Sequence, residues 1–214
     1  LAAVLVAIAA QNNDGSAPDR LSELQILLNN AVTHYNTAVD KIADYAETGL
    51  TAPAEADYTD AGVSGVSATN LAAINDAINN QTGSDNTLGN ANDREGANSA
   101  AEVQAIVDAY KAILAEANDT ANSAGDGTAD TTPLADPTAA QYATIGANIG
   151  AAATDADNLA LLNDIVGAKQ LADVDSIAEI NDLARIANAI QTVAAGGTPT
   201  PALSIADLTH AGLD

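Results

Sequence analysis

The stretch YTDAGVSGVSATNLAAINDAI, residues 58–78, is answered by YATIGANIGAAATDADNLALLNDIV at 142–166. In both, Tyr is followed four residues later by Gly, Tyr58 by Gly62 and Tyr142 by Gly146. Leu208 and Gly212 repeat the interval, so three frames align: AEADYTDAG (54–62), AAQYATIG (139–146) and SIADLTHAG (204–212). A short helix closed by Gly at its C′ position explains this frame, because only Gly enters the left-handed conformation cheaply. Pro53, Pro137 and Pro201 stand just upstream, where proline is tolerated near a helix start. This element is helix 1 of a repeat.

Helix 2 follows. Asn70-Leu71 with Asn75 matches Asn158-Leu159 with Asn163, and Leu1-Ala2-Ala3-Val4 looks like the same element. Ser67 and Thr154 are expected to cap it. Helix 3 carries the clearest signature: Ser99-Ala100-Ala101-Glu102 and Ser176-Ile177-Ala178-Glu179 are S-x-x-E capping boxes ahead of apolar-periodic runs. An earlier copy has Arg20 in the serine position, and Asp19 is expected to substitute. Glu23, Glu102 and Glu179 stand 79 and 77 residues apart, the nearly fixed period of a repeat. The spacing between helices 2 and 3 varies instead in polar segments such as QTGSDNTLGNANDREGAN (81–98), because loop-closure entropy grows slowly with length. Residues 123–138 read as a linker.

The first helix 3 is the longest. Leu21, Leu24, Leu28, Ala31, Tyr35, Ala38, Ile42 and Tyr45 fall alternately three and four apart, and the run ends at Gly49. A seam of this length is expected to pack against a neighbouring unit as well as its own. No stretch sustains β alternation. The predicted fold is all-α, with helices near 21–47, 54–61, 68–79, 100–118, 156–168 and 177–194. The domain expectation is a partial repeat (1–50), two full repeats (51–127 and 128–198) and the helix 1 of another (199–214).

These residues resemble a known family. Ala61-Gly62-Val63, Ala73-Ile74-Asn75-Asp76-Ala77 and the capped Ala101-Glu102-Val103 are similar to the GA-type albumin-binding module, a three-helix bundle of bacterial surface proteins. They also resemble the GA-like tandem repeats of very large, acidic, cysteine-free surface and secreted proteins. The resemblance implies helical modules in an exported, repetitive protein. It does not extend to the albumin-contact surface, which finds no residue-by-residue match.

Composition narrows the chemistry. The 214 residues carry 29 Asp+Glu against 6 Lys+Arg, a net charge of −23, so a nucleic-acid partner is excluded for want of a basic surface. An anionic membrane surface is disfavoured on the same ground. The apolar run LAAVLVAIAA (1–10) is too short to span a bilayer. With no cysteine there are no disulfides, thiolate metal sites or thiol nucleophiles. The five tyrosines are the only aromatic side chains, so a core of Ala, Leu, Ile and Val suits small helical bundles rather than a deep-pocketed enzyme.

No catalytic constellation emerges, and no enzyme is expected. His34 lies mid-helix and His210 falls in a helix 1 copy; both read as structural or surface residues. No phosphate loop, G-x-S-x-G elbow or H-E-x-x-H occurs. Calcium (Ca2+) is the one cofactor that the sequence leaves open. Asp126-Gly127-Thr128-Ala129-Asp130 and Asn12-Asn13-Asp14-Gly15-Ser16 cluster hard oxygens, but neither matches the D-x-[DN]-x-[DN]-G loop, and Asx turns account for them. Asn80-Gln81-Thr82 and Asn118-Asp119-Thr120 fit the glycosylation sequon.

The expected role is a non-enzymatic spacer or adhesive stalk of a large bacterial surface or secreted protein. Its expected partners are neighbouring repeats, identical chains, or a host or matrix protein. The alternative is a subunit of an extracellular filament or surface layer. In that reading the helix 2–helix 3 pair at one end and the lone helix 1 at the other are complementary, and Leu5, Ile8, Leu24 and Leu28 would meet Ile205 and Leu208.

Overall fold

The computed structural model describes Leu5, Ala9 and residues 21–81, 96–117 and 136–213. Among these are eight α-helices and no strand, as the all-α reading expects. They are α1 Leu21–Thr48, α2 Glu55–Asp60, α3 Leu71–Asn79, α4 Ala100–Ala117, α5 Ala139–Thr144, α6 Ala156–Gly167, α7 Ile177–Ala194 and α8 Ile205–His210. Two 3-10 turns, Gly150–Ala153 and Leu171–Asp173, lead into α6 and α7. The boundaries differ from the expected ones by a residue or so, except that α3 starts at Leu71 rather than 68. Residues 68–70 form a turn instead, held by the Asn70 side chain, which accepts from Ser67 N (2.8 Å) and donates to Gly65 O (2.9 Å).

The chain divides into two compact units, Leu1–Leu71 with Gln81–Gln104, and Ala72–Asn80 with Ala105–Asp214. In the first, the C-terminal half of α1 buries Ala38, Ile42, Ala43 and Ala46 and packs against α2. Tyr58 of α2 is fully buried. In the second, α6 and α7 pack together over the Gly150–Ala153 turn, and α5 and α8 are added at the edges. Where α5, α6 and α7 meet, the core includes Leu162, Ile165, Val166, Ile180, Leu183, Ile186 and Tyr142, all apolar apart from the Tyr142 hydroxyl.

That hydroxyl and one amide form a buried polar pair. Tyr142 Oη donates to Asn163 Oδ1 (2.9 Å), and Asn163 Nδ2 donates to Pro137 O (2.9 Å). The pair ties α5 to α6 and leaves neither group unsatisfied. Tyr110 Oη makes a comparable buried bond to Val174 O (3.1 Å), and Asp76 Oδ2 accepts from Ile177 N at the start of α7 (2.6 Å). Asn80, the first sequon asparagine, gives its amide to Gly146 O (2.9 Å).

Candidate functional site: the capped helix–turn junctions

The three short helices α2, α5 and α8 end identically. Gly62 N donates to Thr59 O and Val63 N to Tyr58 O; Gly146 N to Ala143 O and Ala147 N to Tyr142 O; Gly212 N to Thr209 O and Leu213 N to Leu208 O. These paired bonds are the Schellman cap, with Gly at φ 73°, 80° and 91°. Gly62, Gly146 and Gly212 end their short helices at the expected residues.

Their starts are capped too, by a device that the sequence reading missed. Thr138 and Gln141 form a reciprocal box on α5, and Ser204 and Asp207 form one on α8. On α2, where Ala54 has no hydroxyl, Asp57 Oδ2 still accepts from Ala54 N (2.7 Å). The signal was present as T-x-x-Q, a variant of the S-x-x-E sought in helix 3 at both positions, and as S-x-x-D, a variant at one. The helix 3 boxes form as expected. Ser176 and Glu179 close a full box, while Glu102 reaches Ser99 Oγ and the N–H of Asn98 rather than that of Ser99. At α6 the expected cap is corrected. Asp155, not Thr154, is the N-cap, and its Oδ1 accepts from both Asp157 N and Asn158 N at 3.0 Å.

The same N3 acids anchor the short helices sideways. Asp57 pairs with Lys41 of α1, and Asp207 pairs with Arg185 of α7. Lys169 gives its amine to His210 O at the end of α8, and His210 Nδ1 lies 3.2 Å from Asp182. Of the four described cations, three therefore hold a short helix. The Ser204 hydroxyl and the Arg185 guanidinium stabilise the Asp207 carboxylate, lowering its pKa to about 2. Burial pushes the Lys169 amine down, an effect that Asp173 opposes.

Past Gly62 and Gly146, the turn is gripped from α4 and α7 respectively. Gln104 Oε1 accepts from Ser64 N (2.8 Å) and its Nε2 donates to Ser64 O (3.1 Å). Asn181 Oδ1 accepts from Asn148 N (2.7 Å). Gln104 and Asn181 both sit two residues after the box glutamate, and Ser64 and Asn148 two residues after the Schellman glycine. The clamp thus recurs at matching positions. Gln25 holds the matching place in α1, but it bonds Asn29 within its own helix (2.9 Å).

No protein family, characterised protein or solved structure matches this chain. Among the described residues there is no cluster of three or more metal-binding side chains, and no helix is long and apolar enough to cross a membrane. Asn12–Ser16, Asp126–Asp130, Asn118–Thr120, Asp19, Arg20 and Ile8 lie outside the described residues. A groove of about 380 Å³ beside α7 is lined by Asn148, Asn181, Arg185, Asn188 and Pro199 among others. Its one cation, Arg185, is already engaged by Asp182 and Asp207. His34 is exposed on α1. Of the six residues expected at an end-to-end contact, Leu5, Leu24, Leu28 and Ile205 are exposed and Leu208 is half-buried.

Proposed function

We propose that the chain is a non-enzymatic, tandem helical-repeat segment of a large exported bacterial protein, serving as a spacer or adhesive stalk. In this reading each repeat is a three-helix module, at 51–127 and 128–198, flanked by the related segments 1–50 and 199–214. The observation that carries it is the recurrence of the helix–turn junction. The same Schellman cap closes all three short helices, and the amide clamp appears twice at matching positions. Such a junction fixes the short helix and its turn to the long helix of the same module through backbone geometry and side-chain amides, which keeps each module of a spacer in one shape. The −23 charge keeps an extended array soluble and self-repelling. The resemblance to GA-like repeats supplies the exported setting.

Surface labelling tests it. An antibody against residues 51–198 should stain intact cells of the source organism, and protease shaving should remove the signal without lysis. Signal found only after permeabilisation would refute the exported spacer. The second reading, a self-assembling filament, is favoured by one observation, the exposed leucines on α1.

A further inference from the structure

The end of helix 2 meets the following helix 1 in both copies. Asn80, directly after α3, stands five residues beyond Asn75, and Ala168, directly after α6, stands five beyond Asn163. Asn80 Nδ2 donates to the carbonyl of Gly146, the Schellman glycine of α5 (2.9 Å). A Cβ on Gly212, the Schellman glycine of α8, would lie 4.0 Å from the Cβ of Ala168. Beside it, Lys169 donates to His210 O in the last turn of α8. Matching residues thus touch the closing turn of the next short helix, whereas the clamps of Gln104 and Asn181 stay within one repeat.

Two further bonds make the same crossing. Asp76 Oδ2 in α3 accepts from Ile177 N in the first turn of α7 (2.6 Å), and Tyr110 Oη in α4 donates to Val174 O (3.1 Å). Ile177 N is one of the N–H groups that a helix start cannot pair internally. The box of Ser176 and Glu179 serves other N–H groups, so Asp76 supplies α7 with a cap from the preceding repeat. Residues 72–80 and 105–117 accordingly share one compact unit with α5 to α8. That unit crosses the repeat boundary between 127 and 128.

We propose that the end of helix 2 is the docking surface for the closing turn of the next repeat's helix 1, so that successive repeats fold as coupled neighbours rather than as separate beads. Each repeat then draws part of its stability from the adjoining one, and a defect in one spreads into the next. Bending at this joint would break bonds to helix-cap groups, which makes the joint stiff. The inference rests on the repeat reading above. Independent opening of the two repeats would overturn the joint and leave the spacer, whereas absence from the cell surface would do the reverse.

Residue-resolved amide hydrogen exchange of the whole chain tests it. Asp76→Ala removes an acceptor from α7 while putting a better helix former into α3. In separate modules residues 139–194 would not notice the change. In coupled ones the amides of α7, and with them those of α5 and α6, should exchange about tenfold faster. Asp76→Asn, which keeps an acceptor oxygen, should restore most of the protection. Asn80→Ala, which installs the residue found at 168, gives an independent reading and should speed exchange across α5. Asp164 holds the place of Asp76 in α6 and is exposed, so Asp164→Ala should not speed exchange in α7. Circular dichroism should be unchanged throughout, so that faster exchange reports the opening of a folded chain. In Asp76→Ala, acceleration confined to Ile177 or absent altogether would overturn the proposal, as would an equal effect of Asp164→Ala.

Discussion

Glycine at 62 and glycine at 150 both have positive φ, but for different reasons. At Gly62 a Cβ would meet nothing within 4 Å, so only the backbone conformation resists substitution. Gly62→Ala should therefore cost about 1–2 kcal/mol, the penalty of a left-handed L-residue. At Gly150 (φ 57°) the Cβ would also lie 2.7 Å from the Asn188 amide nitrogen, so Gly150→Ala should cost more. Thermal melts of the two variants check the order, and equal shifts would mean that the Asn188 side chain simply moves aside. The Gly62 role was legible in the letters, because a cap glycine is a local requirement. The Gly150 contact was not, since its partner lies 38 positions away and no local pattern encodes it. The same holds for Asn163. Its match to Asn75 was visible, but its pairing with the Tyr142 hydroxyl depends on how α5 lies on α6.

Single elements are set by their caps, and these invite direct substitution. Ser99→Ala and Ser176→Ala should each destabilise by about 0.5–2 kcal/mol. Asp155→Ala should cost about 1 kcal/mol and Thr154→Ala close to nothing, which separates the two candidate caps of α6 by chemical denaturation. Sequence reading placed that cap one residue early because Thr and Asp both cap well. Phase is decided by which residues face the core, here Leu162, Ile165 and Val166. α8 adds a pH dependence. The folded-state pKa of Asp207, about 2, is below its ordinary value of 3.8, so its contribution is complete above about pH 4 and is lost as pH falls through 2. The methyl resonances of Leu208 and Leu213 should shift across that window, and in Asp207→Asn the window should vanish. The acid's role as cap was readable from S-x-x-D. Its ion pair with Arg185, 22 residues back, was not.

The whole chain sets a few ion pairs against a large like-charge repulsion. Salt weakens both, and with 29 acids against 6 cations the repulsion dominates. Raising sodium chloride from about 0.01 M, where the Debye length is about 30 Å, to about 0.5 M should therefore raise the melting temperature. A fall would mean that Lys41–Asp57 and Arg185–Asp207 outweigh the global field. The helical class was legible at this scale from the absence of β alternation and from the capping signals. The exposed half of the α1 seam was not, because periodicity shows that a helix has an apolar face without saying what lies on it.

The three buried tyrosines make the chain its own optical gauge. Burial pushes the hydroxyls of Tyr58, Tyr110 and Tyr142 up, out of the ordinary range near 10. With no tryptophan in the sequence, the ultraviolet spectrum belongs almost entirely to tyrosine. A raised tyrosine pKa means that the folded state holds its proton more tightly than the unfolded chain. Stability is thus unaffected below about pH 10 and falls above it. In an alkaline titration the 295 nm tyrosinate band, on the order of five chromophores at full ionisation, should arrive with a delayed cooperative step from these three. In Tyr110→Phe that step should shrink by about one third, so the absorbance of unlabelled protein reports the opening of each core.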